Sequence, residues 1–225
     1  MPMRERTTDQ GYARLGDGPT ATMDADELRA VLLEEDATVS GVALEGLELS
    51  CDDARRATFE GVLLHGCTLD HVDMSSCTFR NVRFEGCRLI GCTMERAWLN
   101  RTDLVDCSAP GLNLLKARIS MVHVVDCDLS YANLSEANVD RLSMSGVRLR
   151  DAAVQSARLR KLGLEGCDLT RLDVFGTPLA GVDLSTCEFS APVLSRDFRE
   201  LRGAVVSPVQ ALDLAGLLGI EISEE

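Results

Sequence analysis

The sequence predicts an all-β solenoid, a square-section parallel β-helix closed by short N-terminal and C-terminal capping helices. Two observations carry this. Counted in fives from Val42, the register does not slip before Arg196, which gives 31 consecutive units. The third residue of every unit is apolar, as in Leu44, Leu49, Ala54, Phe59, Leu64, Leu69 and Met74, and so on to Phe189 and Leu194. The first residue is nearly always small or aliphatic, with Asp52 and Pro192 as exceptions, and the other three are mostly polar, charged or Gly.

A helix needs apolar residues every 3.6 positions and a strand every 2.0, so neither explains a period of five. A five-residue period with two inward residues means that the chain turns a corner once per unit. Four corners close a square, so one coil takes 20 residues, and successive coils stack at the parallel-strand spacing. At ~4.8 Å per coil the 155 repeat residues build a column ~37 Å long.

An open stack leaves unpaired backbone at both ends, so caps are required. Asp24 and Glu27 form a capping box, and Leu28, Val31 and Leu32 follow on one face, which predicts a helix over 25–35. Ser207-Pro208 reads as an N-cap with proline at the first helical position, ahead of VQALDLAGLL and a stop at Gly219. Ile220-Glu221-Ile222 is read as a short final strand. The organisation is therefore a mobile tail over 1–22, a capping helix and lead-in over 23–41, the repeats over 42–196, and a C-terminal cap over 197–225.

Composition narrows the function. Acidic residues outnumber basic ones by 36 to 23, for a net charge of −13, which argues against direct nucleic-acid binding and against adsorption on anionic lipid. No apolar stretch is long enough to span a membrane, and no secretory signal is visible, so a cytoplasmic protein is expected. Eight of nine cysteines begin a unit, and six (Cys67, Cys87, Cys107, Cys127, Cys167, Cys187) share one register modulo 20. They read as small buried hydrophobes stacked side by side, and no cofactor or metal is expected. His65, His71 and His123 fall at outward positions with no nucleophile around them, and an uninterrupted column offers no catalytic cleft, so no enzyme activity is expected.

The 20-residue coil assigns every unit to one of four faces. The face centred on Leu44 nets −6, those on Leu49 and Ala54 net −2 and −1, and that on Phe59 nets +5. The acidic face predicts a protein-docking surface built from Glu85, Asp103, Asp106, Asp126, Glu165 and Asp183, with Val105 and Val125 as an apolar pair within it. On the basic face, Trp98 is expected to stack with Arg118, one coil on.

The units CDLSY, ANLSE, ANVDR, CDLTR and VDLST resemble the A(D/N)LXX consensus of the pentapeptide-repeat family. The resemblance covers about two thirds of the chain. It implies a right-handed quadrilateral β-helix and, through the quinolone-resistance members, a DNA mimic that binds DNA gyrase or another topoisomerase and modulates or protects it. No loop is inserted between coils. Such relatives dimerise through a C-terminal helix, which implies a homodimer through Leu212, Leu214, Leu217 and Leu218. Duplex DNA of the column's length carries roughly 22 negative charges, so a one-sided mimic fits this charge distribution better than a whole-surface one. A scaffold or adaptor for another protein partner is the alternative reading.

Overall fold

Each unit turns its corner through one residue in the left-handed region. Every fifth residue from Asp36 through Gly181 has φ between +51° and +77°. Eleven of these positions are Gly, and the others are Asp, Asn, Ser, Cys, Arg, Lys, His, Met, Tyr or Glu. None is β-branched, because a branched Cβ clashes in this region. Thr186 is the first β-branched residue to reach the register, and there the positive φ is lost. The Asp or Asn at the second position of a unit serves the same corner. Its side-chain oxygen accepts the N–H two residues on, as from Ser75 to Asp73 (2.9 Å), Leu115 to Asn113 (3.1 Å) and Thr170 to Asp168 (3.0 Å).

The computed structural model describes residues 11–16, 18–217 and 219–221. The repeats form a parallel β-solenoid of about seven turns. Residue i pairs with i+20 on all four sides. Two adjacent sides share eight-residue strands that bend at the corner: Thr78–Glu85, Trp98–Val105, Arg118–Val125, Asn138–Ser145 and Arg158–Glu165. These strands join the basic face to the acidic one. The other two sides narrow to ladders of single bridges, such as Asn113 to Asn133 to Ala153. Inside, the first and third residues of the units stack in columns. Phe59 lies parallel to Phe79 (5.3 Å between ring centres, 12°), and Phe79 meets Phe84 edge-on at 5.8 Å.

Helix α1 spans Ala25–Leu32 and ends three residues earlier than the sequence predicts, because Leu33 is already its C-cap. The capping box is present: Asp24 Oδ1 accepts from the Glu27 N–H, and Glu27 Oε2 accepts from the Asp24 N–H. Leu28 is buried against the first coil. The coil pattern begins one unit before Val42, with Ala37 and Val39 already buried.

The region expected to be a mobile tail is held in part against the column. Ala21–Thr22 pairs with Val42 and Ala43 as an added strand, and the N–H groups of Tyr12 and Ala13 reach Asp103 on the acidic face. Residues 1–10 lie outside the described residues.

At the far end, helix α2 spans Pro208–Leu217. Ser207 and Gln210 exchange hydrogen bonds as a second capping box, and the buried Gln210 amide donates to the carbonyls of Leu184 (2.9 Å) and Cys187 (2.7 Å), closing the last coil. Ile220 and Glu221 are not in a strand, contrary to the sequence reading, and Ile222 lies outside the described residues.

Candidate partner-binding faces

On the acidic side, one outward column runs Glu45, His65, Glu85, Val105, Val125, Ser145, Glu165 in direct register. Val105 and Val125 are neighbours in it and half-buried, with the exposed Asp106 and Asp126 at the adjoining corner. The carboxylate of Asp126 occupies space that Gly146 leaves open, since a Cβ there would come within 2.5 Å of its Oδ1. Glu165 and Asp183 are exposed. The Ser185 hydroxyl and N–H both donate to Asp183 and hold its carboxyl below the usual carboxylate range.

Two predicted members of this surface are otherwise engaged. Glu85 is ion-paired with Arg83 at 2.9 Å. Asp103 is only 1% exposed, because the N-terminal segment lies over it. Its Oδ1 accepts from Tyr12 N–H (2.8 Å) and its Oδ2 from Ala13 N–H (3.3 Å). Gly11 makes this approach feasible, since a Cβ there would fall onto the Asp103 carboxylate. Asp103 therefore anchors the chain's own N-terminal segment instead of standing open to a partner.

On the basic side, Trp98 is covered by Arg80, with the guanidinium 5.1 Å from the ring centre, and not by Arg118. Thr78 is the in-register neighbour of Trp98, and Arg80 reaches across the diagonal, which long side chains on adjacent strands can do. Arg141 and Arg160 both pair with Asp140, at 3.2 and 3.0 Å.

All nine cysteines are free thiols, eight of them buried and Cys51 exposed. Burial pushes Cys77 up to about 12 and Cys92 up to about 11, so both are poor nucleophiles. The sequence reading missed Glu200, a 1%-exposed carboxylate beyond the repeats. It accepts from the Ser195 hydroxyl (2.7 Å), the Ser195 N–H (3.2 Å) and the Gly176 N–H (2.8 Å). Burial alone would raise its pKa, but these donors outweigh burial and hold it at about 2.

The exposed surface of α2 is apolar except for Asp213. Val209, Leu212 and Leu217 are exposed, as is Ile220 beyond the helix, while Leu214 packs against the core; Leu218 lies outside the described residues. Among the described residues, no helix is long and apolar enough to cross a membrane.

Two family models match the chain, one described as pentapeptide repeats (9 copies) over residues 54–103 and one described as pentapeptide repeats (8 copies) over residues 127–161. The chain carries pentapeptide repeats. The matched models describe a repeat and not a catalytic domain. Among solved structures of such columns, a trypsin-treated form of QnrB1, a plasmid-mediated fluoroquinolone resistance protein, is 17% identical, with 90% of this chain and 95% of that one covered at a TM-score of 0.48. HetL, a pentapeptide-repeat protein involved in heterocyst differentiation regulation in the cyanobacterium Nostoc, is 18% identical, with 82% and 97% covered at a TM-score of 0.34. No curated protein matches the chain.

Proposed function

We propose that this column is a non-enzymatic protein-binding module whose acidic face docks on a cationic, duplex-DNA-binding surface. DNA gyrase is the partner implied by the family resemblance, and binding would modulate the topoisomerase or protect it from inhibitors. The observation that carries the reading is the Val105–Val125 pair bordered by Asp106 and Asp126 on a flat, two-coil stretch of strand. An apolar centre with a charged rim is the anatomy of a protein interface. With Asp103 covered, the mimicry is one-sided and centred on the exposed Asp106, Asp126, Glu165 and Asp183. The test is a gyrase supercoiling assay titrated with the purified protein, with and without a fluoroquinolone. Inhibition, or relief of drug-stabilised cleavage, at micromolar protein supports the proposal. No effect at high protein favours a scaffold for another partner.

A homodimer through α2 is part of the same proposal. Apart from Asp213, the exposed side chains of this helix are apolar, yet only one side packs on the column, so Val209, Leu212 and Leu217 lack cover in a single chain. Light scattering tests it: a mass of twice 24.4 kDa is expected, and a strictly monomeric mass removes this part.

A further inference from the structure

The corner between the Ala54 and Phe59 faces carries an open depression of about 590 Å³, lined by Lys116, Ser135, Glu136, Asn138, Gln155, Ser156 and Arg158. Ser135 and Ser156 contribute small side chains to it. Gly176 follows Ser156 one coil on, and a Cβ there would press to 3.3 Å from the Ser156 hydroxyl. Lys116 and Glu136 neutralise each other at 3.6 Å, which leaves Arg158 as the uncompensated charge of the depression. Among the described residues, neither the Asn138 amide nor the Ser156 hydroxyl makes a side-chain hydrogen bond, and Arg158 has no ion pair. Three exposed donors thus line one depression without a protein acceptor among the described residues, which is the inventory that receives a carboxylate.

The depression continues into a charged column. Trp98, Arg118, Asn138 and Arg158 lie in direct register. Arg118 also has no ion pair among the described residues, and it stands two coils, ~9.6 Å, from Arg158. In a polyproline II segment, with three residues per turn and a rise of ~3.1 Å, residues i and i+3 lie on one face ~9.3 Å apart. We propose that this column binds a short acidic peptide segment of a partner protein, with one carboxylate on Arg158, Asn138 and Ser156 and a second, three residues away, on Arg118. A long polyanion fits less well. The molecule's −13 charge repels it at range, whereas a short segment feels mainly the local cations within a Debye length of about 8 Å.

Fluorescence anisotropy with a labelled octaglutamate peptide at about 0.15 M salt, where the ~8 Å Debye length applies, tests this on the full chain. Saturable binding is expected, weakened about tenfold or more by Arg118→Ala/Arg158→Ala, with Arg88→Ala on another face unchanged. Circular dichroism and a thermal melt confirm that each variant is folded, and Asn138→Leu, which keeps both arginines, should weaken binding by a smaller factor. The proposal is overturned if octaglutamate does not bind, if Arg88→Ala weakens binding as much as the double variant, or if labelled single-stranded oligothymidylate of equal length binds more tightly than the peptide.

Discussion

The backbone N–H of Tyr12 donates to Oδ1 of Asp103, 91 residues away, at 2.8 Å. This bond places the N-terminal segment on the face with the largest acidic excess and removes one carboxylate from the exposed surface. Arg83 and His123 are the in-register neighbours of Asp103, so the segment crosses the middle of that face.

Breaking the clasp should free the segment without unfolding the column. Gly11→Ala and Asp103→Ala each remove the close fit, at about 1–3 kcal/mol for charge-assisted hydrogen bonds to backbone. Trypsin cleavage at the exposed Arg14 should accelerate in both variants, while the thermal unfolding of the repeats shifts little. Unchanged cleavage at Arg14 would show that Asp103 does not hold the segment.

Glu200 should make stability pH-dependent in acid. Its folded pKa, about 2, is depressed below the unfolded value of about 4.3. The stabilisation is therefore fully present above the unfolded pKa and is lost as pH falls through the folded one, between about pH 4.5 and 2. Glu200→Gln should lose up to about 3 kcal/mol at neutral pH and flatten the stability profile in that window. Parallel denaturation curves for Glu200→Gln and the unaltered chain, with the same acid dependence, would contradict this.

The corner rule predicts an asymmetry at Met121, whose φ is +54°. Met121→Val puts a branched Cβ into the left-handed region and should cost about 1–3 kcal/mol, whereas Met121→Gly should be tolerated far better. Chemical denaturation midpoints decide it; equal effects of the two substitutions would refute the rule.

One thiol should react quickly. Ellman's reagent applied to the native protein should titrate Cys51 within seconds and the eight buried thiols only on unfolding. Cys51→Ser should abolish the fast phase, and a fast phase that survives would place an open thiol in the column.

The period of five makes the column legible from Leu44 to Leu194, because the third residue of every unit is apolar without exception. The face of each charge follows from the same count, so the acidic and basic sides and the Val105–Val125 contact are legible in the sequence alone. The left-handed corners leave a signal as well, in the single register that holds Gly41, Gly46, Gly61, Gly66 and Gly86. The engaged state of Asp103 is not readable there, since its partners Tyr12 and Ala13 lie in a stretch without periodicity and the bonds come from backbone. Glu200 is hidden for a similar reason: it lies past the last repeat, where a 3-10 turn at Arg199–Leu201 sets its direction. Arg80 displaces Arg118 over Trp98 because stacking by coil number ignores the diagonal reach of long side chains.

Charge reversal on the acidic face is the most direct test of the docking account. Asp106→Lys, Asp126→Lys and Glu165→Lys together leave Asp103 and the core untouched, and lysine already occupies the left-handed corner at Lys116 and Lys161. The account predicts that this folded variant loses all effect in the gyrase supercoiling assay, while a matched reversal of Arg88 and Arg148 on a neighbouring face keeps it. Full activity in the Asp106/Asp126/Glu165 variant would contradict the claim that this face is where the partner binds.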